Sequence, residues 1–175
     1  MNEIINSTIV YEGKIINVEK KQLKLPDNRI VERDYVDHKP AVAMLATINN
    51  KIILVSQYRI GSNTDMIEIP AGLIENGENP KECANRELQE ETGYKANTTE
   101  LLGEYYLSPG YSNEKIYIFL CSDLVQSKLP LDDDEFINVT YLDVNEIPSF
   151  LKSNKCKDIK TALALSLYQN KTSRK

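Results

Sequence analysis

Residues 72–94 read Gly-Leu-Ile-Glu-Asn-Gly-Glu-Asn-Pro-Lys-Glu-Cys-Ala-Asn-Arg-Glu-Leu-Gln-Glu-Glu-Thr-Gly-Tyr. A turn, a helix start, a dense carboxylate face and a helix stop follow one another within these 23 residues. Asn79 suits an N-cap and Pro80 the first helical position, and Gly93 suits the left-handed C-cap. On the helix so bounded, Glu87 and Glu91 are four residues apart and Glu90 is three from Glu87, so all three share a face. Clustered like charges cost an isolated helix about 0.2–0.5 kcal/mol per pair. A chain that keeps such a face sets a cation beside it. Donors that are all oxygen suit a hard ion, Mg²⁺ or Mn²⁺, better than zinc. Ala84 and Leu88 form a narrow apolar stripe on the same helix, and Arg86 stands at i,i+4 spacing from both Glu82 and Glu90.

The rest of the chain narrows the setting. Its 175 residues are enough for one domain with a small appended subdomain, and 41% hydrophobic content can fill a core. A net charge of −5 does not draw the molecule to nucleic acid, and an anionic ligand would need local cations or a metal to overcome it. The three cysteines, Cys83, Cys121 and Cys156, are scattered without disulfide or metal-knuckle spacing, as in a reducing compartment. No apolar run approaches the ~20 residues that span a bilayer. The start, Met-Asn-Glu-Ile-Ile-Asn, lacks the basic and apolar regions of a signal peptide. The expectation is a soluble, cytoplasmic protein that does not engage a membrane.

Residues 8–37 alternate polar and apolar positions with many β-branched side chains, and Pro26-Asp27-Asn28 reads as a hairpin turn between two runs. A small N-terminal antiparallel sheet is expected there. Residues 41–48 form a continuous apolar run, as in a strand buried on both faces, and Asn49-Asn50 turns into a second such strand at 51–58. Strands are also expected at 99–107, 115–122 and 137–142, and helices at 143–152 and 158–169. Strands and helices mix without strict alternation, which favours an α+β fold.

Taken whole, the 72–94 segment resembles the signature of the Nudix hydrolases. Gly72, five residues, Glu78, seven residues, Arg86-Glu87-Leu88, one residue, Glu90-Glu91, one residue and Gly93 meet the fixed positions; Tyr94 stands where an aliphatic residue is usual. The resemblance covers about residues 41–142 and implies a Nudix fold, a mixed β-sheet core flanked by helices in an αβα sandwich. It implies hydrolysis of a nucleoside diphosphate linked to another group, by metal-activated water. Glu87 and Glu91 are implied as main metal ligands, Glu90 as a further one with a catalytic share, and the carbonyl of Ala71 as another ligand. Arg86 is implied to orient the carboxylates and Glu78 to hold Arg86. The ion itself is implied to be Mg²⁺, with Mn²⁺ as an alternative.

Residues outside that segment are similar to the ADP-ribose pyrophosphatase subgroup. Ser108-Pro109-Gly110-Tyr111-Ser112-Asn113-Glu114 places Pro109 fifteen residues past Tyr94. Gln57-Tyr58-Arg59 and Glu68-Ile69-Pro70-Ala71-Gly72 also match, as, weakly, does Asp158-Ile159-Lys160-Thr161. The subgroup implies cleavage of ADP-ribose to AMP and ribose 5-phosphate. It also implies two parts, residues 1–38 as a sheet for homodimerisation and substrate binding, and 39–175 as the hydrolase domain. Several side chains keep two readings. Arg59 pairs a phosphate or makes a surface ion pair. Glu68 faces the site or caps a strand end, and Glu114 touches substrate or metal water, or is surface. Tyr11 stacks on the base or packs ordinarily. Arg33 is a candidate to reach substrate phosphate or ribose. His38 reads as structural and Cys83 as packing. The acidic run Asp132-Asp133-Asp134-Glu135 is a solvated loop or the source of the general base, with Glu135 the first choice and Asp133 the second.

The rivals are the same chemistry on another nucleoside diphosphate sugar such as GDP-mannose, and a non-catalytic module that senses ADP-ribose; the complete carboxylate set speaks against the second. A cleanser of oxidised nucleoside triphosphates needs neither the N-terminal sheet nor Ser108-Pro109-Gly110. For the general base, Glu135→Gln is expected to lower kcat far more than it raises KM, and unaltered turnover would remove Glu135 from the mechanism.

Overall fold

A computed structural model describes residues 2–131 and 136–173. The elements pack as two compact units, Met1–Ala41 with Tyr105–Ile116, and Val42–Glu104 with Tyr117–Lys175.

The first unit is built on three antiparallel strands in the order β1 (Glu3–Glu12), β2 (Ile16–Lys24), β3 (Ile30–His38). Alternation of β-branched and polar residues favours this ladder, and β2 and β3 pair without interruption from Ile16 opposite His38 to Lys24 opposite Ile30. Asn28, at φ 67°, takes the left-handed corner of the connecting turn, and the Leu25 amide donates to the Arg29 carbonyl at 2.8 Å. Asparagine tolerates that corner because its short polar side chain bonds locally. Every residue of β1 is exposed, Ile4, Ile9, Val10 and Tyr11 among them.

A loop after the long strand β8 (Tyr94–Tyr106) completes this unit. It docks on the end of β3. The Val36 amide donates to the Tyr111 carbonyl at 2.7 Å. Asn113 then clasps the strand from its side chain, donating to Asp37 at 2.7 Å and accepting from the His38 amide at 2.8 Å.

The second unit centres on a seven-stranded sheet. Its main path runs β10 (Asn138–Asp143), β5 (Lys51–Arg59), β4 (Ala41–Ile48), β9 (Lys115–Gln126), β8, while β6 (Thr64–Glu68) pairs with β5 and β7 (Ala71–Leu73) with β4. The apolar runs explain its middle: Val42 to Ala46 and Ile52 to Val55 are buried, as strands covered on both faces must be. Asn49 and Asn50, at φ 47° and 61°, form the two-residue turn between β4 and β5, the geometry that matches strand twist. One face of the sheet, including Val42, Met44, Ala46, Ile53, Phe119 and Cys121, joins Cys83, Ala84 and Leu88 of helix α1 (Pro80–Thr92) in a single core cluster. Ala43 and Leu45, which strand alternation points to the other face, are equally buried. Helices α2 (Ile147–Leu151) and α3 (Ile159–Thr172) add buried Ile147, Phe150, Ala164 and Leu165.

Three local features depart from the sequence expectation. The short strands β6 and β7, pairing with β5 and β4 respectively, lie on either side of Pro70, which has no amide to give to a ladder. Strand β8 begins at Tyr94, directly after the helix cap, rather than at 99. The helix expected at 143–152 is a 3₁₀ turn at Val144–Glu146 followed by α2, because Pro148 suits the first turn of a new helix and not the interior of one.

Candidate active site

Helix α1 is fixed at both ends before it carries any chemistry. The Asn79 side chain accepts from the Lys81 amide at 2.9 Å, and Gly93, at φ 77°, donates its amide to the Gln89 carbonyl at 3.0 Å. Its buried side is Cys83, Ala84, Leu88 and Glu91. Anchored in this way, the helix sets Arg86, Glu87 and Glu90 together beside the loop that precedes it.

Arg86 uses its whole guanidinium fork. Nε and Nη2 grip Glu78 at 2.9 and 3.0 Å. Nη1 donates to Glu87 at 2.8 Å and to Glu90 at 2.9 Å, while Nη2 also reaches the Leu73 carbonyl at 3.2 Å. One cation thus touches three carboxylates and the end of β7. The Arg86 hydrogen bonds hold the Glu78 carboxyl at about 2, well below the usual range, and Glu78 in return raises Arg86. Glu78 is itself set by the Glu75 amide at 3.0 Å, across a turn whose corner is Gly77 at φ 82°. Burial pushes the Cys83 thiol well above its ordinary value, which leaves it a packing residue.

Gly72 serves close approach rather than a turn. A Cβ there would stand 1.9 Å from Glu87 Cδ and about 2 Å from both carboxylate oxygens, at 2.1 and 2.2 Å. Only glycine lets Glu87 lie flat on the strand. Next to it, the Ala71 amide donates to Glu91 at 3.2 Å, and Glu91 is 4% exposed. Glu87 and Glu91 therefore meet the backbone of Ala71–Gly72 at one junction of helix and strand, and Glu90 is linked to Glu87 through Arg86. The donor set is all oxygen and fits a hard divalent cation. Among the described residues, no three His, Cys, Asp or Glu side chains are grouped closely enough to hold an ion in this structure. Glu87 and Glu90 lean on Arg86, and Glu91 leans on the Ala71 amide.

Glu68 lies in the same unit and is 1% exposed. Arg59 binds it with both ends of its fork, Nε at 2.9 Å and Nη2 at 2.8 Å, and Lys160 forms a second ion pair with it. Burial raises the Glu68 carboxyl, but Arg59 and Lys160 together outweigh burial and leave it below its ordinary value. The Arg59 side chain stays 40% exposed.

The remaining candidates belong to the first unit. Tyr11 is exposed on β1, its ring lying over Gly13, where a Cβ would come within 2.7 Å of it. Arg33 on β3 donates to the neighbouring Glu32 carbonyl at 2.9 Å. Pro109 is exposed in the docked loop, and Glu114 closes that loop, its carbonyl accepting from the Leu107 amide at 3.1 Å. His38 Nδ1 approaches the Lys39 carbonyl at 2.6 Å, a local contact. Glu135 and Asp133 lie outside the described residues. Sequence reasoning did not single out Asn113 or Thr161. An Asp three residues before a Thr at a helix start was the available sign for the latter.

The NUDIX domain family matches residues 37–163, and the fold and junction just described agree with that match. The chain belongs to this family and is a Nudix hydrolase. It is 38% identical over 165 residues to an ADP-ribose pyrophosphatase of Bacillus subtilis, covering 93% of this chain and 89% of that one. It is 34% identical over 168 residues to a methanol dehydrogenase activator of Bacillus methanolicus, covering 94% and 91%. A solved structure of an ADP compounds hydrolase superposes with a TM-score of 0.87 at 25% identity, over 99% of this chain and 95% of that one.

The ion pair of Glu78 sets an acid limit. Its folded-state pKa is depressed, so its contribution to stability is complete above the usual carboxylate range and is lost as pH falls toward about 2. Urea denaturation followed between pH 6 and 2 is expected to show a smaller acid loss in Glu78→Gln than in the wild type. Identical slopes would mean that this pair does not control the acid transition.

Proposed function

We propose that this chain hydrolyses the diphosphate of ADP-ribose to AMP and ribose 5-phosphate, with Mg²⁺ as its ion and Mn²⁺ as a substitute. The observation that carries the substrate is the 38% identity to the Bacillus subtilis ADP-ribose pyrophosphatase over 93% of the chain, which extends past the carboxylate helix at both ends. Glu87, Glu90, Glu91 and the Ala71 carbonyl would hold the ion. When bound, a divalent ion neutralises phosphate oxygens and lowers the pKa of a coordinated water.

The chain's own groups supply the rest. Arg86 keeps Glu87 and Glu90 on the side of the helix that faces β7, and Glu78 keeps Arg86 from turning to solvent. Gly72 leaves room for the Glu87 carboxylate against the strand. Arg59, aligned by Glu68, presents a guanidinium that suits phosphate oxygens. Glu135 is the proposed proton acceptor, with Asp133 the alternative. Tyr11, Arg33, Pro109 and Glu114 are the proposed contacts to adenine, ribose and the adjoining phosphate.

We also assign the protein to the cytoplasm and to a homodimer joined through its N-terminal sheet, residues 1–38, apart from the hydrolase domain at 39–175. The apolar side chains left exposed on β1 support that joining, as burial between copies would cover them. No helix among the described residues is long and apolar enough to cross a membrane.

A panel of ADP-ribose, GDP-mannose and other nucleoside diphosphate sugars, compared by kcat/KM with Mg²⁺, tests the substrate. The highest value is expected for ADP-ribose. Equal or greater efficiency on GDP-mannose would replace it, and tight ADP-ribose binding without turnover would mark a sensor.

A further inference from the structure

The four residues Glu68 to Ala71 are each held by a side chain or backbone group of another element. Arg59 of β5 and Lys160 of α3 hold the Glu68 carboxylate. The Ile69 amide donates to Thr161 Oγ1 at 2.8 Å. The Pro70 carbonyl accepts from the Met44 amide of β4 at 2.8 Å. The Ala71 amide donates to Glu91 of α1 at 3.2 Å. Pro70 has no amide, so the Ile69 N–H is the last backbone donor before Ala71, and it points to a side chain rather than to a neighbouring strand.

That side chain is fully buried. Thr161 is 0% exposed, and its hydroxyl donates to Asp158 at 2.5 Å while accepting from Ile69. The hydroxyl has one proton, which it donates in the hydrogen bond to Asp158, so a lone pair is left to receive the Ile69 amide. Asp158 is also the cap of α3, accepting from the Thr161 amide at 2.9 Å, and it pairs with Lys160 at 3.0 Å. Lys160 in turn reaches Glu68. The start of α3 is therefore joined to residues 68 and 69 by two adjacent links that share one carboxylate, Asp158.

We propose that Thr161, fixed by Asp158, is a positioning residue for the metal site: it sets the backbone of Ile69–Pro70–Ala71 and so aims the Ala71 carbonyl. The proposal deepens the reading of Ala71, Glu87, Glu90 and Glu91 as ion ligands, and it rests on that reading. A backbone ligand has no side-chain torsion with which to adjust. Its direction is the direction of its strand, and here that strand is only three residues long, Ala71–Leu73. A hydrogen bond two residues upstream is then a direct control on the ligand, as the outer partners of a metal site generally are.

The test uses the full chain, with Mn²⁺ as the probe, in four forms: wild type, Thr161→Val, Thr161→Ser and Leu165→Ala. Leu165 is a buried residue of the same helix and serves as the control for simple destabilisation. Mn²⁺ binding without substrate is read by electron paramagnetic resonance, at a temperature set equally far below each variant's own Tm. Thr161→Val is expected to weaken Mn²⁺ by about tenfold, and Thr161→Ser to restore it to within about twofold of wild type. Leu165→Ala is expected to lower Tm with Mn²⁺ affinity kept. At saturating Mg²⁺, KM for ADP-ribose should hold in Thr161→Val, because the substrate contacts are not altered. Mn²⁺ affinity in Thr161→Val equal to wild type, or reduced only as much as in Leu165→Ala, would overturn the proposal. If Thr161→Val does not fold, Asp158→Asn decides by the same criteria, with weaker Mn²⁺ binding expected. Wild type that binds no Mn²⁺ would sink the metal-site reading itself. Wild type that binds Mn²⁺ but does not cleave ADP-ribose would sink only the substrate.

Discussion

The junction of helix α1 with strand β7 turns on a single cation. Arg86 places one guanidinium against Glu78, Glu87, Glu90 and the Leu73 carbonyl. Without it, the carboxylates on one face of α1 would repel one another and the loop before the helix would lose its tie to the helix. The bidentate grip on Glu78 explains why an arginine suits this position: a lysine carries the charge but not the planar fork. The same contacts fix the helix against the end of β7, so the charge network and the helix–strand junction are one arrangement.

Two other features make that junction specific. Gly72 removes a side chain where Glu87 needs the space. The segment from Glu68 to Ala71 is tied to β5, β4, α1 and α3 in turn. Buried charge is costly when unpaired, and Glu68 meets that cost with two cations rather than one. The result is a short stretch of backbone held from several elements, facing a helix whose Glu87 and Glu90 are hydrogen-bonded to Arg86 and whose Glu91 is hydrogen-bonded to Ala71.

Local signals were readable in advance because local chemistry decides them. Asn79, Pro80 and Gly93 mark the helix ends by their own backbone preferences, and the spacing of Glu87, Glu90 and Glu91 follows from the helical repeat. The Asn49-Asn50 turn and the buried runs beside it are of the same kind. The grip on Ile69 was not readable, since Thr161 is 92 residues away and nothing in its neighbourhood names its partner. Glu68 keeps two readings for a related reason: its burial and its pairing with Arg59 and Lys160 follow only when those residues arrive from separate elements. Asn113 likewise becomes informative only when the loop meets β3. The proposed substrate rests on resemblance alone, through residues outside the carboxylate helix.

The carboxylate face of α1 is proposed to bind a divalent ion. Mn²⁺ titration of Glu87→Gln, Glu91→Gln and Glu82→Gln tests it most directly, because Glu82 is an exposed carboxylate of the same helix that neither contacts Arg86 nor lies beside Ala71–Gly72. The first two substitutions are expected to weaken Mn²⁺ by about tenfold or more and the third to leave it as in wild type. Equal affinity in all three would contradict the account.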